Sequence, residues 1–236
     1  MSIGKEIVLL QDALGYEFSD IAYLENALTH SSYSNEQKSR GIFLESNERL
    51  EFLGDAVLQS VISKYLFNNY KRYPEGTLTR MRQYLVCEKT LSKIASDIGI
   101  GDYLNLGKGE ETNGCRQRPK VLADALEAVI AAVYLDSTSD PEMHERVLLR
   151  LFEKTLDGLD CSFEGDYKTM LQQLVEKDGA AELFYEVVSE TGPEHNKRFT
   201  VVARINNNEV GRGEAKNKKD AEMQAARMAL KLFGIM

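Results

Sequence analysis

Asn47–Val61 reads NERLEFLGDAVLQSV and sets Glu48, Glu51 and Asp55 inside an otherwise apolar run. At roughly 100° per residue, Leu50, Leu53, Val57 and Val61 gather on one side of a helix. The three acids, at i, i+3 and i+7, gather roughly opposite. The pattern predicts a helix over Asn47–Asn69. On these residues alone two explanations stand: the solvated face of an amphipathic helix, or a site where something balances the charge.

A second stretch bears on that choice. In VLADALEAVIAAVYL, Val121–Leu135, the only ionisable groups before Tyr134 are Asp124 and Glu127. A helix apolar nearly all round is a buried one. A buried, unpaired carboxylate is costly and tends to neutralise. Asp124 and Glu127, at i and i+3, share one face. One balance is a salt bridge, for which Lys120, Arg80 and Arg82 are at hand. The other is that the two acidic faces meet and share divalent cations. Four carboxylates with no His or Cys nearby in sequence form an oxygen-only donor set, which favours Mg²⁺ or Mn²⁺ over zinc. Such a centre suits phosphoryl transfer and needs no acid–base histidine. Phe52 falls on the acidic side of its helix. Covering an aromatic there takes either a loop of the same chain or a socket on a second subunit.

Working outward, residues 1–156 read as almost entirely helical. Further amphipathic patterns lie at Lys5–Leu14, Asp20–Thr29, Thr77–Val86, Glu88–Ile98, Pro119–Asp136 and Pro141–Leu156. Residues 157–166, DGLDCSFEGD, are short and polar with two glycines and read as a linker. Beyond them the period changes. A helix over Tyr167–Lys177 precedes three strands and a last helix over Lys218–Leu232. In KRFTVVARI, Phe199, Val201, Ala203 and Ile205 alternate with Thr200, Val202 and Arg204. Asn206–Asn208 reads as a hairpin turn into EVGRGEA. The last helix sets Ala221, Ala225, Met228, Ala229 and Leu232 on one side, a stripe suited to lie close against a sheet. Asn217 is its expected N-cap, with Asp220 where a capping-box acid sits. Lys216, Lys218 and Lys219 crowd that N-terminus, where phosphate is favoured.

The chain has 236 residues and a formal net charge of −8, with −7 carried by residues 1–162 and −1 by 163–236. Total charge argues weakly against a nucleic-acid partner; the local clusters argue the other way. Cys87, Cys115 and Cys161 form no CxxC pair and read as reduced thiols of a cytoplasmic protein. The N-terminal run IVLL is too short for a signal peptide, and AVIAAVYL, Ala128–Leu135, is too short for a membrane span.

These motifs resemble the ribonuclease III family. NERLEFLGDAVL is similar to its signature stretch and LADALEAVIAAVYLD to its second acidic helix. YPEGTLTRMR resembles the segment between them, and ALTHSSY, Ala27–Tyr33, an early helix end. The C-terminal part resembles a double-stranded-RNA-binding domain. The resemblance implies an all-α endonuclease domain over 1–156, the linker 157–166, and a small α-β-β-β-α binding domain over 167–236. It implies a homodimer whose single valley holds two catalytic centres, each cutting one strand of an RNA duplex to leave 5′-phosphate and 3′-hydroxyl ends with a short 3′ overhang. Carried over by position, Glu51, Asp55, Asp124 and Glu127 are metal ligands, with Asp55 and Glu127 catalytic. Glu48 and Glu75 match additional acidic positions, and Phe52 the residue that inserts into the partner subunit. Gln172 and Glu176 face one minor groove of the duplex. His195, in GPEHNK, faces the other, and Lys216, Lys218 and Lys219 meet the phosphates between them. The cofactor implied is Mg²⁺, with Mn²⁺ as substitute, and no organic cofactor and no membrane are expected. Ribosomal RNA precursors and structured messages are the implied substrates. The competing readings are a non-cleaving duplex-RNA adaptor and a helical scaffold with salt-bridged acids.

Overall fold

A computed structural model of the chain describes residues 3–71, 73–157, 159, 167–177, 182–193 and 197–235. Internal contacts divide the chain into two compact units, Met1–Asn69 with Arg80–Asp157, and Tyr70–Thr79 with Gly158–Met236. The segment Tyr70–Thr79 thus groups with the second unit, although it lies well inside the span read from the sequence as the first domain.

The first unit is built around a nearly all-apolar helix. In chain order it holds α1 (Ile3–Leu14), α2 (Ile21–Ala27), α3 (Ser31–Ser39), α4 (Glu48–Asn69), the latter part of α5 (Glu75–Leu85), α6 (Glu88–Asp97), the short α7 (Ile100–Tyr103) and α8 (Lys108–Thr112), a 3₁₀ turn at Cys115–Gln117, α9 (Pro119–Asp136) and α10 (Met143–Asp157). Pro119 opens α9 at a position where its missing N–H costs nothing. Ten residues of α9, from Leu122 to Val133, are buried. Packed around α9 are α2, α4 and α6. Leu58, Ile62 and Leu66 of α4 join Leu24, Leu126 and Phe152 among the side chains shut off from solvent. The C-terminal end of α9 is tied down by polar contacts: Asp136 accepts from Tyr16 Oη at 2.7 Å and from the Ser19 and Asp20 amides, both at 2.8 Å.

Three helices lie outside the expected patterns, the short α7 and α8 and the nine-residue α3. α3, SSYSNEQKS, carries almost no apolar periodicity. The stretch ALTHSSY is therefore more than an early helix end. It is a junction: α2 ends at Ala27 with Leu28 as its C-cap, and His30 caps the next helix, its Nδ1 accepting from the Ser32 amide at 3.2 Å. Serines and a histidine at a cap replace the apolar stripe as the local signal. Asn47, expected inside the next helix, stands just before it. There it is buried, its amide donating to Thr29 O at 2.8 Å and its carbonyl accepting from Glu51 N.

The second unit contains α11 (Tyr167–Lys177), strands β1 (Leu183–Thr191), β2 (Arg198–Ile205) and β3 (Asn208–Ala215), and α12 (Lys218–Leu232). The sheet is antiparallel in the order β1-β2-β3. Of the expected linker, only Asp157, which ends α10, and Leu159 are described. Two glycines of β3 set the helix-to-sheet distance. A Cβ on Gly211 would stand 2.1 Å from Ala225 O, and one on Gly213 2.2 Å from Ala221 O. The small-residue stripe is thus matched by a small-residue strand. Its membership differs from the expectation: Ala226 and Leu230 are buried with Ala221, Ala225 and Ala229, while Met228 and Leu232 are exposed. α12 packs on β2, β3 and α11, so its buried face is wider than one stripe and turned toward 226 and 230. The alternation in β2 also breaks at Val202, which is fully buried. As the central strand's residue it lies in register with Glu186 and Arg212. Asn206 makes the tight turn at φ 55°, in the left-handed region that Asn tolerates well.

Candidate metal centre and duplex-binding face

α4 and α9 cross where both carry acids. The crossing is close because Gly54 has no side chain: a Cβ there would stand 1.8 Å from the carbonyl oxygen of Glu127. Glycine inside a helix costs about 1 kcal/mol relative to alanine, and here the cost brings two backbones together next to Asp55. The residue was passed over in the sequence, although an isolated glycine in a helical pattern is itself a sign of close packing.

Across that crossing, Glu51, Asp124 and Glu127 each offer a carboxylate oxygen, and these atoms lie within 4.8 Å of one another. All three are half-buried. Burial raises the Glu127 carboxyl to about 7, and the negative charges of Asp55, Asp124 and Glu51 add to the rise, while Lys120 opposes it. Glu51 is shifted up for the same reasons: burial first, then Asp124. Asp55 belongs to the same field through its effect on Glu127. Its own two oxygens, however, accept from Gln59 Nε2, both at 2.9 Å. Gln59 went unremarked in the sequence, though an Asp and a Gln at i and i+4 of a helix are natural partners.

The salt-bridge reading and the metal reading meet on one residue. Lys120 Nζ donates to Asp124 Oδ2 at 2.9 Å and to Oδ1 at 3.2 Å. Arg82, the second candidate, turns to Ser63 Oγ at 3.0 Å instead. Lys120 is thus seated on Asp124, where its charge opposes the negative charges of Asp55, Asp124 and Glu51 that act on Glu127. An oxygen-only donor set fits a hard divalent cation such as Mg²⁺ or Mn²⁺. Glu48 is exposed at the start of α4 and accepts from Ser46 Oγ at 3.0 Å. Glu75 belongs to the second unit, where it accepts from Thr79 Oγ1 at 2.9 Å.

Phe52, between Glu51 and Leu53, is 80% exposed, so no loop among the described residues covers it. Phe43 is equally exposed, and Ile42 and Leu44 stand open beside it. Phe43 and Leu44 border a cleft of about 720 Å³ that Tyr23, Leu28, Tyr33 and Leu104 also line.

In the second unit, Asn217 caps α12, with its Oδ1 accepting from the Asp220 amide at 2.9 Å. Asp220 returns the contact through the Asn217 side chain at 2.8 Å, a variant of the expected capping box. Lys216, Lys218 and Lys219 are exposed at that end, and Lys218 lies 5.5 Å from the centre of the Phe199 ring. Gln172 Nε2 donates to Glu176 Oε1 at 2.8 Å, one turn further along α11. His195 lies outside the described residues. Among the described residues, no helix is long and apolar enough to cross a membrane.

Residues 20–154 match the Ribonuclease-III-like family and residues 167–232 the Double-stranded RNA binding motif. Ribonuclease 3 of Natranaerobius thermophilus is 46% identical over 230 residues, covering 96% of this chain and 97% of its own. Ribonuclease 3 of Caldanaerobacter subterraneus subsp. tengcongensis is 45% identical over 231 residues, covering 98% and 99%. The crystal structure of the nuclease domain of ribonuclease III from Campylobacter jejuni superposes with a TM-score of 0.57 at 42% identity, covering 64% of this chain and 96% of that one. A second structure of that domain, described for structural flexibility in a region involved in dimer formation, gives 0.56 at 42% identity, covering 62% and 95%. A helical unit with two acidic helices in close crossing, followed by a helix–sheet–helix unit, is thus matched along nearly its whole length, and the chain belongs to the ribonuclease III family of endoribonucleases.

Proposed function

We propose that the chain is a divalent-metal-dependent endonuclease that cuts both strands of duplex RNA, leaving 5′-phosphate and 3′-hydroxyl ends with short 3′ overhangs. The observation that carries this reading is the convergence of Glu51, Asp124 and Glu127 from two helices within 4.8 Å, with Asp55 beside them in the same field. Those four residues would hold Mg²⁺, or Mn²⁺ in its place, with Asp55 and Glu127 catalytic and Glu48 and Glu75 in lesser acidic roles. Such ions supply Lewis-acid neutralisation of charge developing at the scissile phosphate and acidify the attacking water.

The protein's part is to hold these half-buried carboxylates together against their own repulsion. Gly54 sets the helix spacing and Gln59 fixes the Asp55 carboxylate. The double-stranded-RNA-binding domain would hold the substrate by shape. Gln172 and His195 would face its minor grooves, and Lys216, Lys218 and Lys219 at the α12 N-terminus would meet its phosphates. The exposed Phe52 and the apolar-edged cleft support a homodimer, in which each copy's aromatic is covered by the other. Two centres in one dimer account for a cut in each strand. The reading extends to a cytoplasmic enzyme of ribosomal-precursor and structured-message processing, with domain boundaries near 156 and 167.

Incubation with long duplex RNA tests the reading. Cleavage should require Mg²⁺, stop with EDTA, and be lost in Glu127→Gln while duplex binding persists. A chain that binds duplex RNA but leaves it whole in Mg²⁺ is an adaptor, not a nuclease. Retained cleavage in Glu127→Gln removes that residue from the chemistry.

A further inference from the structure

Lys120 stands one helical turn before Asp124 on α9, and both Asp124 oxygens accept from its ammonium. The lysine side chain is 72% exposed and the aspartate 26%. An exposed i, i+4 pair of this kind contributes little to helix stability, so holding the fold together does not account for the lysine. Its surroundings are specific. Lys120 also feels Glu51 and Glu88, and its charge is felt by both Glu51 and Glu127. It is therefore a cation on a flexible four-carbon stem, placed at the edge of the carboxylate group that converges between α4 and α9.

A carboxylate has roughly four lone-pair sites, so shape alone does not prevent Asp124 from serving an ammonium and a metal together. The conflict is between like charges: a +1 ammonium and a +2 ion on the same carboxylate repel across a few ångströms. We infer that Lys120 is a tethered counter-ion that competes with the divalent cation for Asp124, and so raises the divalent concentration at which the centre fills. This inference rests on the metal-centre reading above. It makes Lys120 a residue that acts through Asp124, with a sign opposite to that of a ligand: its removal tightens metal binding.

The test uses the full chain, Mn²⁺ alone and no RNA, with free Mn²⁺ read by electron paramagnetic resonance or heat by titration calorimetry at pH 8. Lys120→Met keeps the stem and removes the charge; Lys120→Arg keeps the charge. Lys120→Met should bind Mn²⁺ about fivefold more tightly than the wild type, at the upper end of what an exposed ion pair is worth. Lys120→Arg should stay within about twofold of the wild type, and the gap between wild type and Lys120→Met should narrow as added salt screens the competitor. Equal or weaker Mn²⁺ binding by Lys120→Met overturns the competition while leaving the metal centre standing. Failure of both wild type and Lys120→Met to bind millimolar Mn²⁺ overturns the metal centre and this inference with it. A wild-type protein that binds, with Asp124→Asn binding equally well, places the ion elsewhere and overturns the role of Lys120.

Discussion

Glu127 carries the largest electrostatic load of the acidic group. Burial comes first and the charges of Asp55, Asp124 and Glu51 follow, so its carboxyl rises to about 7 from an ordinary value of 4.5. The native state therefore keeps a proton that the unfolded chain gives up between those two values. Stability is greatest at the acid side of that window and falls as pH rises through it. In EDTA, the melting temperature should decline from pH 5 to pH 8, and Glu127→Gln, neutral throughout, should flatten the decline. Mn²⁺ should reverse the trend, because a ligating carboxylate must be ionised and binding tightens as its proton leaves. A wild-type melting curve indifferent to pH in this window would mean that Glu127 is not under that strain. At this scale much was legible. The i, i+3, i+7 and i, i+3 spacings announced both acidic faces, and Lys120 stood among three candidate partners. Sequence could not choose among Lys120, Arg80 and Arg82, because the choice depends on which helix each cation faces after packing. Arg82 turned to Ser63 and Lys120 took Asp124.

Elements bring these side chains together, and the crossing of α4 with α9 is the tightest such joint. Gly54→Ala would gain roughly 1 kcal/mol of helix propensity on α4 if nothing opposed it. Here the added methyl meets the Glu127 carbonyl at 1.8 Å, so the helices must part. Overpacking of this kind costs about 1–3 kcal/mol, and parting the helices also separates the oxygens of Glu51 and Glu127. Urea unfolding should show a net loss of stability, and calorimetry a weaker Mn²⁺ affinity. A variant as stable as the wild type with unchanged affinity would show that the crossing has room to give. The long elements were legible because their patterns are strong: α4, α9, α11 and α12 end within a residue or so of the pattern. α3 was not legible, since nine mostly polar residues hold their place through a His30 cap and neighbouring backbone, not through an apolar face. The buried face of α12 was placed slightly off for a related reason. A helix gripped by a sheet and by a second helix buries more than the single stripe a sequence pattern suggests, which is why Ala226 and Leu230 went unseen.

At the scale of the whole molecule, the charge of −8 sits awkwardly with a nucleic-acid partner until it is divided. Most of the excess lies in the span read as the nuclease domain, which holds the acidic cluster of Glu51, Asp124 and Glu127, while the RNA-binding span is nearly neutral and gathers lysines at one helix end. The same scale decides the fate of Phe52. The sequence offered two covers, a loop of its own chain or a partner, and at 80% exposure no loop among the described residues supplies the first. Burying a phenylalanine side chain is worth about 1.5–3 kcal/mol, and a two-fold symmetric contact counts it twice. Phe52→Ala should therefore raise the dimer dissociation constant by about 100-fold or more, at 1.4 kcal/mol per factor of ten, with little change in the fold of the protomer, since the ring leaves no cavity behind. Sedimentation velocity from nanomolar to micromolar concentration reads this directly. The wild type should be dimeric where Phe52→Ala is largely monomeric, and the variant should regain the dimer at higher concentration. A wild type that is monomeric at micromolar concentration would remove the dimer, and a variant as dimeric as the wild type would move the anchor from Phe52 to the neighbouring apolar surface of Ile42, Phe43 and Leu44.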